Sequence, residues 1–190
     1  LVFANREASP SNAAQNITEE YTYGTACVSS WSAGGNMING RAQLAGAGTQ
    51  NAALAFGGET TGTIGCTEEY NGSSWELGGA MITARRLLAG AGTQDAGIVF
   101  GGYQGGDLNS TEEYNGTSWA AGGGLITARR SLSGAGTQNA GLAFGGGDPI
   151  RSNTEEYNGT AWTAGGALAT ARYRPQGAGT QNAGLVMGGT

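Results

Sequence analysis

The chain repeats itself, and that limits its fold more than any single residue does. RRLLAGAGTQDAGIVFGGYQGGDLNSTEEYNGTSW, from Arg85 to Trp119, returns as RRSLSGAGTQNAGLAFGGGDPIRSNTEEYNGTAW, from Arg129 to Trp162. A looser copy runs from Arg41 to Trp75, and partial copies sit at both ends. Trp31, Trp75, Trp119 and Trp162 are spaced by 44, 44 and 43 residues. The tyrosines of the TEEY motifs (Tyr21, Tyr70, Tyr114, Tyr157) and the pairs Gly57-Gly58, Gly101-Gly102, Gly145-Gly146 and Gly188-Gly189 recur with them. Each copy must fold alike and bury its apolar face against its neighbours.

A period in the low forties fits either a two-helix repeat or a four-stranded blade. The helical reading needs amphipathic runs of ten or more residues with few glycines. With 38 Gly in 190 residues the chain has no glycine-free run long enough for such a helix pair, so the unit is read as four short strands. In the third full copy they are Ser131 to Thr137, Gly141 to Phe144, Thr154 to Tyr157, and a strand carrying Trp162 that ends at Gly165-Gly166. The apolar run Gly141 to Phe144 suits a strand buried on both faces. A tight turn is expected at Gln138-Asn139, and a type I′ hairpin at Asn158-Gly159. The expected fold class is all-β: a β-propeller of about four four-stranded units with a period of 43–44 residues. The units lie near 1–40, 41–84, 85–128, 129–171 and, in part, 172–190.

An apolar strand ending in Gly-Gly, a Tyr after a variable loop, a Trp soon after it, and an Arg opening the next inner strand together resemble the kelch repeat of β-propellers. The Tyr-to-Trp gap, 5 in three copies, is shorter than in the usual kelch hairpin. The TEEYNGTSW and GAGTQNAALAFGG segments are similar to repeats in large structural proteins of tailed viruses. This resemblance implies a virion or extracellular setting, with other virion or appendage proteins as partners, self-association among them. The kelch resemblance implies that the repeated Trp packs between blades. The alternative role for Trp31, Trp75, Trp119 and Trp162 is as sugar-stacking platforms, one site per blade.

Composition narrows the functions. Charged residues make up only 12%, the net charge is −5, and the chain holds no Lys and no His. That argues against nucleic acid, which calls for basic patches, and leaves little material for acid–base catalysis or copper ligation. No signal peptide or membrane span is visible, and neither a metal nor a cofactor is expected. Cys27 and Cys66 occupy non-equivalent repeat positions, so a disulfide and two free thiols both stay open. Leu1-Val2-Phe3 aligns with Leu54-Ala55-Phe56, so the chain opens mid-unit and is expected to be a processed product or a piece of a longer protein. Its last strands either complete the opening unit in a ring or continue a larger array.

Eight of the 14 acids sit in TEEY, and seven of the nine arginines open a first strand. Alternation places one Glu of each pair on each strand face, where a buried one needs a partner such as Arg. Glu–Arg pairing within or between units is therefore expected. Glu69, Glu113, Glu156, Arg86 and Arg130 are assigned to the repeated framework beside the Trp and Tyr residues. Glycosidase chemistry by these carboxylates is disfavoured, because a catalytic pair occurs once per domain and this one recurs in every unit. Specificity is expected in the loops at 6–16, 59–65, 103–109 and 147–153, which all emerge on one face. Tyr23, Tyr103, Asp107, Asp148 and Arg151 are the candidate binding residues, with Tyr173 a further exposed aromatic. The reading is a non-enzymatic structural or adhesive module that displays these loops to a protein or host surface. A lectin-like propeller binding surface glycans is the alternative.

Overall fold

The computed structural model describes residues 15–22 and 30–190. All regular elements among them are β-strands. β1 (Glu19–Thr22) and β2 (Ser30–Ala33) form a two-stranded sheet. Three four-stranded antiparallel sheets follow in simple up-and-down order. The first holds β3 (Ala45–Thr49), β4 (Ala52–Phe56), β5 (Thr67–Tyr70) and β6 (Trp75–Leu77). The second holds β7 (Ala89–Gly92), β8 (Gly97–Phe100), β9 (Thr111–Tyr114) and β10 (Trp119–Gly122). The third holds β11 (Ser133–Thr137), β12 (Ala140–Phe144), β13 (Thr154–Tyr157) and β14 (Trp162–Ala164). β15 (Gln176–Thr180) and β16 (Ala183–Met187) form a last two-stranded sheet. The architecture is all-β repetition, consistent with propeller-like blades. Among the described residues β15 pairs only with β16, and the contact with Leu1-Val2-Phe3 that would close a ring through the opening unit lies outside the described residues.

Two local expectations change. The first strand of the third copy starts at Ser133 rather than Ser131, because Ser131 has a φ of +55° and breaks the extended run. The Asn158-Gly159 hairpin is not a type I′ turn: Gly159 has a φ of +88°, while Asn158 is not among the residues with positive φ. Tyr157 pairs directly with Trp162, so the loop has four residues, too many for a two-residue turn. Asn158 Oδ1 closes it by accepting from the Thr160 and Ala161 N–H groups at 3.0 and 2.9 Å. Asn71 and Asn115 close their loops in the same way.

The core lies between units as much as within them. β4, β8 and β12 are central strands, and Leu54, Phe56, Ile98 and Phe100 are fully buried. One cluster joins Leu54 and Phe56 of one unit to Leu88, Val99, Tyr114 and Trp119 of the next. Burial of a Phe of this kind contributes about 1.5–3 kcal/mol. The small residues of the AGAG strands allow this approach: a Cβ on Gly90 would stand 2.4 Å from Phe56 Cζ. The turn glutamines complete the fastening. Gln94 Nε2 donates to the Ala53 and Tyr70 carbonyls of the preceding unit at 3.0 and 2.9 Å. Gln138 and Gln181 repeat the pattern one and two units later.

Candidate functional site

The framework comes first, because it decides which side chains remain for a site. Three Arg–Glu pairs form within units: Arg41–Glu68, Arg85–Glu112 and Arg129–Glu155, all buried. Arg85 also donates to the Gly101 and Ser110 carbonyls at 3.1 and 2.7 Å. Burial pulls the Arg85 guanidinium below its ordinary pKa, and Glu112 opposes that shift. The pair uses the first Glu of each motif and the first Arg of each strand, one residue earlier than Glu69, Glu113, Glu156, Arg86 and Arg130. Strand alternation explains this, since the second Glu points to the opposite face. There Glu69 accepts from Tyr114 Oη, and Glu113 from Tyr157 Oη at 2.6 Å, each a tyrosine of the next unit. Burial first, then the bond to Glu69 or Glu113, pushes the Tyr114 and Tyr157 phenols up to about 12. Glu156 is exposed.

The tryptophans belong to the same framework. Trp75, Trp119 and Trp162 are buried, and each Nε1–H donates to a threonine of the preceding unit at 2.9 Å (Thr18, Thr67 and Thr111). Trp119 meets Phe56 edge-on at 5.2 Å, and Trp162 meets Phe100 at 4.8 Å, both across a unit boundary. None of these three rings has a face open to a sugar. Trp31 is 50% exposed and lies against Tyr21.

What varies from unit to unit gathers at one edge. The residue after each framework Arg bonds to the start of its unit's variable loop: Ala42 with Glu59, Arg86 with Tyr103, Arg130 with Gly147. The next residue (Gln43, Leu87, Ser131, Arg174) has a φ of +57°, +54°, +55° and +52°. Such backbone costs on the order of 1–3 kcal/mol in a non-glycine residue. A ladder between units holds it, with Leu87 N–H donating to the Gln43 carbonyl, Ser131 to Leu87 and Arg174 to Ser131, at 3.1, 2.8 and 2.9 Å. The loops fold back on the glycine pairs, with Ile64, Leu108 and Arg151 N–H donating to Gly58, Gly102 and Gly146. Side chains at this edge therefore differ, while the backbone presenting them is the same.

Arg86 and Arg130, assigned from sequence to the framework, project instead at this edge. Arg86 pairs with Glu59 of the preceding unit's loop, and its guanidinium stands 5.3 Å from the centre of the Tyr103 ring. Arg130 stands 5.0 Å from the same ring and bridges Asp107 and Asp148 at 2.7 and 2.8 Å. Tyr103, Asp107 and Asp148 are thus brought together through Arg130. Arg151 lies nearby in the loop at 147–153, close enough to lower the pKa of Arg129, though burial lowers it more. The neighbouring Ser131 hydroxyl, then the Arg174 and Arg130 side chains, hold the Tyr173 phenol below its ordinary range. Arg174 lies 5.3 Å from the Tyr173 ring centre. Tyr23 and Cys27 lie outside the described residues, and Cys66 is a free thiol.

The sequence reading missed the turn glutamines and the positive-φ position. Gln50, Gln94, Gln138 and Gln181 stand in every copy, a visible signal. The kinked residue is Gln, Leu, Ser or Arg, so composition carried no hint of it. Among the described residues no group of three or more His, Cys, Asp or Glu could hold a metal ion, and no helix is long and apolar enough to cross a membrane. No protein-family model matches the chain, and no curated protein matches it.

Proposed function

We propose that the chain is a non-enzymatic structural and adhesive module: a β-propeller of kelch-like blades that holds variable side chains at one edge for contact with a protein or host surface. One observation carries this reading. Between copies, the buried pairs, the Tyr–Glu bonds and the Trp–Thr bonds recur, whereas the residues at the kinked edge and in the adjoining loops change identity. A rigid repeated frame with one variable edge suits display and binding. The setting, a virion fibre or another extracellular appendage, rests on the resemblance of the TEEYNGTSW and GAGTQNAALAFGG segments to structural proteins of tailed viruses. The partners are other appendage proteins, further copies of the chain, or surface glycans.

The lectin-like reading with one weak site per blade is less well supported, because burial of Trp75, Trp119 and Trp162 removes the repeated platform it requires. The adhesive reading is tested by exchange. Residues 59–65, 103–109 and 147–153 are replaced by Gly-Ser segments of equal length, and adsorption of the labelled protein to a panel of cell surfaces is compared with the unaltered chain. Loss of adsorption with the melting temperature kept is the expected result. Equal adsorption by both proteins would overturn the reading.

A further inference from the structure

The charge on this protein is sorted by place. The variable edge carries four arginines (Arg86, Arg130, Arg151, Arg174) against three acids (Glu59, Asp107, Asp148). The other described residues carry four arginines against ten acids. The edge is therefore the basic part of an acidic molecule. Neither Arg151 nor Arg174 makes an ion pair among the described residues, so their charge is uncompensated. Four buried polar atoms at the same edge have no hydrogen-bond partner among the described residues: Gln43 Oε1, Arg86 Nε, Ser131 Oγ and Arg151 Nε. Unbonded buried atoms also occur in the framework, at Ser110, Arg129 and Thr154, so it is the charge of the edge that sets it apart. Arg174 and Arg130 meet at Tyr173, and Arg130 holds the exposed Asp148, so uncompensated guanidinium charge stands near an accessible carboxylate; that pairing points to a polar ligand with both an acid group and hydroxyls.

We propose that this edge recognises an acidic saccharide, one bearing carboxylate or sulfate groups. The inference rests on the adhesive reading above and names its ligand class. Arg151 and Arg174 supply charge-assisted donors for the acid group, which guanidinium groups match in shape. Asp107 and Asp148, held by Arg130, supply acceptors for sugar hydroxyls. Tyr173, beside Arg174 and Arg130, offers a ring and a polarised phenol. The carboxylates are what favour a sugar over a nucleic acid. A phosphate backbone has few donors to give them and would be repelled by them and by the acidic remainder of the chain.

The test is calorimetric titration of the whole chain with four probes: an oligogalacturonate, a heparin-derived oligosaccharide, neutral maltohexaose and single-stranded oligothymidylate. One or both acidic saccharides should bind saturably, which also separates carboxylate from sulfate as the favoured group. Arg174→Gln and Arg151→Gln should each weaken that binding about tenfold, the scale of one charge-assisted hydrogen bond. Circular dichroism should be unchanged in both, and melting unchanged in Arg174→Gln, whose side chain is exposed. Absence of saturable binding by both acidic saccharides overturns the proposal. So does binding that both variants leave intact, or oligothymidylate binding as tightly as the saccharides. If the acidic probes fail while loop exchange still abolishes adsorption, the ligand class is wrong and the adhesive reading stands. If loop exchange has no effect either, both fall.

Discussion

Replacing Glu112 by Gln tests whether the framework is held by charges that cannot leave each other. Arg85 is fully buried, and Glu112 is only 2% exposed. The carboxylate does more than neutralise Arg85: it also accepts from the Ile82 and Thr83 N–H groups at 2.7 and 3.0 Å. Glutamine keeps the shape but turns one acceptor into a donor. That donor must face either a backbone N–H or the guanidinium, and Arg85 loses its counter-charge. Breaking one side of a buried pair costs about 3–5 kcal/mol, because a charge is stranded in a medium that solvates it poorly. For a chain of this length each kcal/mol lowers the melting temperature by about 2–4 °C, which gives a fall of about 6–20 °C.

Urea and thermal unfolding followed by circular dichroism read this directly. The control is the neutral double replacement Arg85→Met with Glu112→Leu, which removes both charges and should recover much of the loss. A cost below about 1 kcal/mol for Glu112→Gln would refute the argument, since it would mean that water reaches the pair. A double variant no better than the single would show that shape, not charge, was lost.

Three further outcomes follow from the same geometry. Gly90→Ala should cost about 1–3 kcal/mol in chemical denaturation, because the new methyl would press on Phe56 at 2.4 Å, whereas Gly62→Ala, with open space around it, should stay within about 0.5 kcal/mol. Gln138→Ala removes two bonds to the carbonyls of Gly97 and Tyr114 and should cost about 1–3 kcal/mol, with the loss largest between the units it joins. In a phenolate absorbance titration, Tyr114 and Tyr157 should ionise only near pH 12, and Tyr173 should ionise below the ordinary range, its phase lost in Tyr173→Phe. The folded-state values of Tyr114 and Tyr157 lie above the unfolded value of 10.0, so the unfolded chain gives up these protons first. Their stabilisation is complete below pH 10.0 and drains away as the pH rises to about 12.

The strands were legible because the signals that define them are local and repeated. GLAF, TEEY and the glycine pairs mark β12, β13 and the strand ends in each copy. The Arg–Glu partnership was legible as chemistry, but its members were off by one residue. Which Glu faces inward depends on the phase of alternation, and two adjacent glutamates conceal that phase. The hairpin was misread because Asn-Gly signals a turn without stating its length. The pairing of Tyr157 with Trp162 decides that, and it depends on packing across the sheet. Arg86 and Arg130 were misplaced for a similar reason. Adjacent arginines look equivalent in sequence, yet the first turns into the unit and the second lies beside the kink that aims it at the loops.

That kink joins the fold to the proposed function. In a repeat protein every framework position is constrained by its own unit and by both neighbours, so change there is costly. Leu87 and Ser131, with φ of +54° and +55°, occupy the one recurrent non-glycine position among the described residues where the backbone is strained, and the ladder between units supports it through main-chain atoms. A position held by its backbone places little demand on its side chain. Gln43, Leu87, Ser131 and Arg174 can therefore differ without disturbing the stack, and so can Ala42, Arg86, Arg130 and Tyr173 beside them. The physical reason for variation at this edge is that its shape comes from the main chain, which leaves its side chains free to be selected for what they bind.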